Sequence, residues 1–470
     1  MASVKTKISI SINGAMDDQT IRVSSSLIKK YKIPQGTSLL FKVGSIQETV
    51  RVLSTGNAGV QIHANLAERT GLSDENTLCL KYNLNQRTLS VGPIVGVMLR
   101  KISSNMLRPF GNVTSFAREL TEAARLSGGL VYFFSADQLE ERGGRIAGLI
   151  YNKGWKKGMF PYPDALYNRL TSRVVEKSTK VQRFISEAKT QYHSVVFNER
   201  YLDKAEVFSA LKKEADVAEV LPESYTYQGS KMLRAMLNRH AAVFLKPVLS
   251  SLGKGIIRVR RGGSGGYESH IAGNDGKIRQ MNFASFPSML KSLGPRLKKA
   301  KYIIQEGIDL LTSSGSPIDF RALVQRNGKG EWKLTSIVAR IAASRTFVSN
   351  LARGGKLTTV DGAFSAGNLP VHLRSATSSR LKKVAVDIAK GIETQISDAH
   401  FAELGIDLAV DYHGRVYLLE VNSKPSKEDN SPLVLEDSTD QNPTDGGKSA
   451  VRIRPSVRRV VCYSKYLGGF

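Results

Sequence analysis

The sequence predicts an α/β protein built in several parts. A strand–helix–strand pattern occurs twice near the start at a fixed offset of 39 residues. From Gly92 to Pro425, apolar strand runs alternate with stretches of helical spacing. At 470 residues the chain has room for two or three domains, and 41% hydrophobic with 23% charged residues is ordinary globular usage. That usage excludes a wholly disordered chain.

The repeat lies in residues 1–90. Ile21-Arg22-Val23, Leu27, Ile33, Leu39 and Phe41 recur as Val60-Gln61-Ile62, Leu66, Leu72, Leu78 and Leu80. Each copy reads as a short strand, a helix of one or two turns and a second strand. Ser24 to Ser26 and Asn65 supply cap-type residues at the helix starts. A duplicated unit of this length is expected to form a small double-psi-like β-barrel. Between Lys5 and Arg87 it carries eleven basic and six acidic side chains, which suits an acidic partner.

The next part, 91–196, opens with the buried-strand run Ile94 to Leu99. An amphipathic helix from Phe116 to Leu126 follows, stopped by Gly128-Gly129, and then the strand Leu130 to Phe134. Strand, helix and strand at this spacing predict a parallel α/β subdomain. Residues 197–425 form a third part. Residues 426–450 hold Glu428, Asp429, Glu436, Asp437, Asp440 and Asp445 with few apolar groups, the pattern of an acidic flexible loop. In 451–470, Val457, Val460, Val461, Tyr463 and Tyr466 have helical spacing, so a C-terminal helix is expected to dock on the core.

Several function classes are disfavoured. No apolar run approaches the roughly 18 residues of a membrane span. Met1 to Ile12 alternates polar and apolar residues without a leader's apolar centre, so a cytoplasmic protein is expected. Cys79 and Cys462 make no disulfide framework and have no metal-ligand spacing. The net charge of +27 favours polyanions, but it is spread along the chain without zinc-finger spacing or an aromatic RNA-binding strand. A nucleic-acid partner is therefore not favoured.

Three constellations in 197–425 carry chemistry. In the first, the strand from Val243 delivers Lys246-Pro247, and a turn with Ser250, Ser251, Gly253, Lys254 and Gly255 precedes another strand. Glycines let backbone N–H groups turn toward phosphate oxygens, and the two lysines add charge. No G-x-x-x-x-G-K-[ST] loop is present. In the second, Tyr302 to Ile308 ends in the polar Gln305-Glu306-Gly307, whose backbone suits an adenine edge. Asp319 is placed for ribose hydroxyls, with Arg321 on the same face two residues along the strand. In the third, Glu403 to Asp411 and Val416 to Pro425 read as a hairpin that brings Asp407 beside Glu420 and Asn422. Two carboxylates and an amide are all oxygen donors and suit Mg²⁺.

The order of these blocks resembles the ATP-grasp superfamily, which includes D-alanine–D-alanine ligase and the ribosomal-protein glutamate ligases. Val338-Ala339-Arg340-Ile341-Ala342 and Phe347 to Gly355 match the glutamate-ligase pattern. Pro163-Asp164-Ala165-Leu166-Tyr167-Asn168-Arg169, Leu221-Pro222-Glu223, Asp319-Phe320-Arg321 and Tyr466 to Phe470 carry a narrower resemblance to the endospore-coat-associated YheC/YheD family. It covers most of the chain from about Pro93 onward.

The resemblance implies an α/β fold class, with an α+β ATP-grasp module at 197–425 after the parallel subdomain and the small barrel. It implies that Lys204 and Lys246 contact nucleotide phosphates under a lid from Ser250 to Gly255. It places Gln305, Glu306 and Gly307 at the adenine, Asp319 at the ribose and Asn350 near the phosphates. Asp407, Glu420 and Asn422 would hold one or two Mg²⁺, and Arg321 and Arg340 would stabilise the transferred phosphoryl group. One departure is that Gly405 and Ile406 precede Asp407, where the peptide ligases keep an extra basic residue. The implied activity is ATP-dependent carboxylate–amine or carboxylate–thiol ligation through an acyl phosphate. The acceptor is of unknown identity, and an acidic peptide or polymer fits the charge. A non-catalytic nucleotide-binding protein of the spore coat and an ATP-grasp kinase are the alternatives.

Overall fold

A computed structural model of the chain describes residues 3–11, 16–74, 76–139, 141–249, 254–262, 265–273, 277–343, 355–427 and 452–470. Most of the segment read as an acidic flexible loop lies outside the described residues.

Seven strands near the start close into a barrel. Their order is Val4–Ser11, Val60–His63, Thr20–Ser24, Ile46–Thr55, Ser38–Val43, Thr88–Gly92 and Thr77–Asn83. The last strand closes the ring on the first, with Val4 opposite Leu80. The helices Ser25–Tyr31 and Ala64–Thr70 stand 39 residues apart. Both end on a left-handed residue, Lys32 at φ 53° and Gly71 at φ 70°, a conformation that ends a helix by satisfying its last carbonyls. Ile8, Ile21, Phe41, Val60 and Leu80 fill the interior. This core continues into the next unit through Phe160, Leu166 and Phe184.

The second unit is a sheet whose parallel strands run in the order Leu130–Ser135, Ile94–Leu99, Ala165–Asn168 and Val195–Phe197. The antiparallel pair Arg145–Tyr151 and Trp155–Pro161 extends one edge. The strand that comes first in the chain, Ile94–Leu99, lies in the middle of this parallel set. Helices Thr114–Ser127 and Pro455–Leu467 pack together on one face of this sheet, burying Phe116, Leu120, Val457 and Val461 with Val97, Val131 and Phe133 in one core. The C-terminal segment thus docks as a helix.

Two further antiparallel sheets follow. The small sheet runs in the order Ser224–Thr226, Tyr302–Glu306, Ala242–Pro247, Ile257–Arg261, Tyr267–Ala272 and Ile278–Phe283. Helices Ser230–Arg239 and Phe286–Lys299 cover the face bearing Val243, Leu245, Ile257 and Ile304. The large sheet runs Lys356–Thr358, Trp332–Ile341, Ser316–Arg326, Glu403–Val410 and Val416–Asn422. Helix Val371–Gln395 buries Leu381, Val384 and Ile388 against Phe320, Ile406 and Leu408. Alternation along the strands leaves the opposite face of each sheet polar.

A buried ionic hub joins the units. Glu403 is 1% exposed and accepts hydrogen bonds from Tyr167, Arg169, Lys427 and Gln325. Arg169 also donates to the Pro425 carbonyl at 3.0 Å, and Gln325 to that of Ser456 at 3.0 Å. Burial pulls the Lys427 ammonium down to about 8, against the pull of Glu403. Removing the carboxylate leaves two buried cations without a counter-charge. Glu403→Ala is expected to destabilise the fold by about 3–5 kcal/mol, read as a lower denaturation midpoint. An unchanged midpoint would contradict the hub's role.

Candidate functional site

The polar face of the large sheet is set by register. Asp407 lies opposite Glu420 on one side and opposite Arg321 on the other. Asp319 lies opposite Arg340, and Asn422 opposite Gly405. Residues directly opposite in an antiparallel ladder share a face. Asp319, Arg321, Arg340, Asp407, Glu420 and Asn422 therefore form one polar surface, backed by apolar neighbours such as Phe320 and Ile406.

Within it Arg340 grips Asp319 with Nε–Oδ1 at 2.6 Å and Nη2–Oδ2 at 2.7 Å, and reaches Asp407 Oδ1 at 3.2 Å. Arg321 holds Asp407 through Nε and through Nη2, the latter at 3.0 Å from Oδ2. Burial would raise the Asp407 carboxyl, but the guanidiniums of Arg321 and Arg340 outweigh it and hold the group below its ordinary value. Arg340 is conversely raised: burial opposes its charge, and Asp407 and Asp319 more than restore it. Asp319, expected at the ribose, is a counter-ion of Arg340 on the sheet that carries Asp407.

Two lysines approach from other elements. Lys204 begins the helix Lys204–Leu211, whose start is capped by Asp203 accepting from the Glu206 N–H at 2.8 Å. Its Nζ lies 2.9 Å from Glu420 Oε1. Lys246 projects from the small sheet and donates to Gln305 Oε1. Burial pulls Lys246 down to about 8, with Glu420 opposing the shift and Lys204 adding to it. The three groups thus sense one another across the cleft between the two sheets.

The Gln305 side chain is occupied at both ends, because its Nε2 donates to Ser224 Oγ at 2.8 Å. It positions Lys246. Glu306 is the next residue of the strand, and alternation turns its side chain to the other side. Its carboxylate meets His240 and the Glu223 N–H, so Gln305 and Glu306 do not line one surface with their side chains. Gly307 donates its N–H to the Ala242 carbonyl at 2.8 Å. A Cβ there would lie 2.8 Å from the Ala242 Cβ, so only glycine permits this approach. Lys254 is exposed. Ser250, Ser251, Gly253 and Asn350 lie outside the described residues.

Sequence reasoning gave no role to Ser224, Ser423 or Asn198. Ser423 Oγ accepts from the Leu202 N–H at 3.1 Å, and Asn198 donates to the Ser423 and Glu403 carbonyls. These bonds fix the end of the hairpin that carries Glu420 and Asn422. Their partners lie about two hundred residues away, so no local pattern announces them.

Asp407, Glu420 and Asn422 offer only oxygen donors, and Asp407 is held ionised. This donor set fits Mg²⁺, which takes few protein ligands and completes its shell with water and phosphate oxygens.

Two antiparallel sheets, with Lys246 on the small one and Lys204 beside the acidic hairpin of the large one, define the class, an ATP-grasp protein. A family model described as YheC/D-like ATP-grasp matches residues 193–445. The chain belongs to that family. It is 27% identical over 346 residues to the endospore coat-associated protein YheD of Bacillus subtilis, covering 73% of this chain and 75% of the relative. It is 22% identical over 289 residues to YheC of the same organism, covering 60% and 77%. Among solved structures, the ATP-grasp ligase PsnB complexed with minimal precursor aligns with TM-score 0.38 and 13% identity, covering 73% of this chain and 94% of that one. D-alanyl-alanine synthetase A from Vibrio cholerae aligns with TM-score 0.43 and 10% identity, covering 81% and 99%.

Burial brings the Lys246 ammonium down to about 8, so its charge is lost progressively as pH rises through that value. ATP affinity, measured by calorimetry, is expected to hold between pH 6.5 and about 7.5 and to weaken as pH rises through about 8. Lys246→Arg should remove that dependence. Lys246→Ala should weaken binding roughly 10- to 100-fold, the worth of about 1.5–3 kcal/mol for a charged hydrogen bond. Unchanged affinity in the alanine variant would refute the phosphate contact.

Proposed function

We propose that the chain is an ATP-dependent carboxylate–amine, or carboxylate–thiol, ligase. The observation that carries this reading is the acidic face of Asp407 and Glu420, with Asn422, meeting Lys204 and Lys246 across one cleft. Membership of the ATP-grasp family supports it.

In this reading Lys204 and Lys246 bind the nucleotide phosphates, and the backbone from Gln305 to Gly307 borders the adenine. Ser250, Ser251, Gly253 and Lys254 form a lid, and Asn350 approaches the phosphates. Asp407, Glu420 and Asn422 would hold one or two Mg²⁺, which neutralise phosphate charge when bound. Arg321 and Arg340, preset by Asp407 and Asp319, stabilise charge on the transferred phosphoryl group. A substrate carboxylate attacks the γ-phosphate and ADP leaves. An amine or thiol then attacks the acyl carbon and phosphate leaves. Phosphoryl transfer asks chiefly for positioning and charge neutralisation, which these residues provide.

The barrel is in this reading a duplicated double-psi-like unit that presents an acidic peptide or polymer. Residues 91–196 form the subdomain that precedes the ATP-grasp module. The relatives' names support a place at the spore coat. No helix among the described residues is long and apolar enough to cross a membrane.

The test is a screen for ADP release against pooled amino acids, peptides and acidic polymers. Turnover is expected to need a carboxylate and an amine or thiol together. ADP release with a hydroxyl acceptor alone would make the protein a kinase, and none with any acceptor would favour a binding protein. Glu420→Gln should lower turnover by about 100-fold or more with circular dichroism unchanged. Parent-like turnover in that variant would overturn the metal assignment.

A further inference from the structure

The charge of the chain is unevenly placed. Residues 224–306, the small lobe, carry fifteen basic and three acidic side chains, +12 of the total +27 on less than a fifth of the length. The two helices that cover its sheet, Ser230–Arg239 and Phe286–Lys299, contain no aspartate or glutamate. Lys231, Arg234, Lys291, Arg296, Lys298 and Lys299 are exposed on them, and the exposed Lys301 follows directly. We propose that this outer face of the small lobe docks on the surface of an anionic lipid membrane, with the cleft turned away from it.

The placement follows from packing. Leu233 and Met236 of the first helix, and Met289 and Leu293 of the second, are buried against the sheet over Val243, Leu245 and Ile304. Lys246 and Gln305, one residue along from Leu245 and Ile304, alternate to the opposite face. The basic helices and the nucleotide side therefore lie on opposite faces of one sheet. Arg234 bridges the helices by lying over the Phe286 ring, 4.5 Å from its centroid.

These charges are not spent within the protein. Among the described residues, Arg239 is the one cation of the two helices paired with a carboxylate, Glu223 at 2.7 Å. The helix Val371–Gln395, which covers the large sheet in the same way, is built differently. Its Lys383 pairs with Asp387 at 2.6 Å, its Arg380 with Glu219 and its Glu393 with Arg326. Unpaired like charges on one face repel one another, and a negative surface relieves that repulsion.

The side chains also select the kind of partner. Five of the seven exposed cations are lysines, point charges without the planar fork that fixes a single phosphate or carboxylate. They respond to charge density more than to a shaped anion. Neither helix exposes an aromatic ring on which bases could stack, since Phe286 is buried. Neither exposes a large apolar side chain that would insert among acyl chains, so the contact is electrostatic and rests on the headgroups. Basic clusters of this size on amphipathic helices are drawn to anionic leaflets, roughly fivefold in affinity per charge.

The test is co-sedimentation of the full chain with lipid vesicles, and it does not depend on the nucleotide reading. Vesicles with about 30% phosphatidylserine are expected to bind the protein at about 0.1 M salt and to release it at about 1 M, where the screening length falls to about 3 Å. Vesicles of phosphatidylcholine alone should not bind it. The triple variant Lys291→Gln, Lys298→Gln, Lys299→Gln should bind about 100-fold more weakly, with circular dichroism unchanged. Lys29→Gln, Lys30→Gln, Lys32→Gln, an equal charge change on the barrel, should stay within about fivefold of the parent. No binding to the anionic vesicles, or equal losses in the two triple variants, overturns the proposal. Tighter binding of duplex DNA or polyglutamate than of the vesicles, lost in the first triple variant, also overturns it and gives the face to a nucleic acid or an acidic peptide. Should the first triple variant fail to fold, Lys231→Gln, Arg296→Gln, Lys301→Gln decides by the same readouts.

Discussion

The site depends on keeping one carboxylate charged inside a sheet. Asp407 sits between strands whose other face is the apolar core of the large lobe. An isolated ionised carboxylate there would cost several kcal/mol and would take up a proton instead. Arg321 and Arg340 prevent this, and Asp319 in turn balances Arg340. The four groups are one unit, because Arg340 bridges both carboxylates and removing any member unbalances the buried charge. Register makes the unit possible: Arg321 stands opposite Asp407, and Arg340 opposite Asp319, on three adjacent strands. Gly405 contributes by having no side chain. A Cβ there would lie 3.5 Å from Arg321 Nη1 and 2.9 Å from the Pro425 Cβ.

The hairpin carrying this unit is anchored from below. Immediately after Asn422, Ser423 accepts from Leu202, Lys424 pairs with Glu176, Pro425 accepts from Arg169, and Lys427 pairs with Glu403. Four of five consecutive residues are thereby bonded to the parallel subdomain, to the segment that follows it and to the large sheet. Burial brings both Lys424 and Lys427 down to about 8, so each ammonium depends on its carboxylate partner. Such pairs add little net stability over apolar packing, but they specify one arrangement. The acidic face thus keeps its position relative to Lys204, which projects from a helix at the same junction.

Much of this was legible in the sequence because it is local or periodic. The 39-residue offset extends to the helix ends, where Lys32 and Gly71 both take left-handed backbone. The i, i+2 spacing of Glu420 and Asn422, and the turn at Tyr412 to Arg415, sufficed to bring Asp407 alongside. What was not legible depends on distant partners. Nothing near Glu403 signals that Arg169 and Lys427 converge on it. The pairing of Asp319 with Arg340 was not legible either, because Arg340 lies on the next strand. Glu306 is a different case. Alternation along the strand already implies that its side chain and that of Gln305 diverge, so only their backbone can border one surface together.

The charge of +27 is consistent with a nearly balanced interior. The buried and half-buried ion pairs around the hairpin set Arg169, Lys204, Arg321, Arg340, Lys424 and Lys427 against Glu176, Asp319, Glu403, Asp407 and Glu420. One positive charge remains there, far short of the total. The excess must therefore sit on side chains in contact with solvent, where it is screened within about 8 Å at physiological ionic strength. Exposed arginines and lysines such as Arg261, Lys291, Lys298 and Lys299 on the small lobe belong to this set. Attraction to a polyanion is then a property of the surface, while the cleft itself is close to neutral. A nucleotide entering that cleft meets particular lysines more than a general field, and its own charge would be offset in part by the ion it brings.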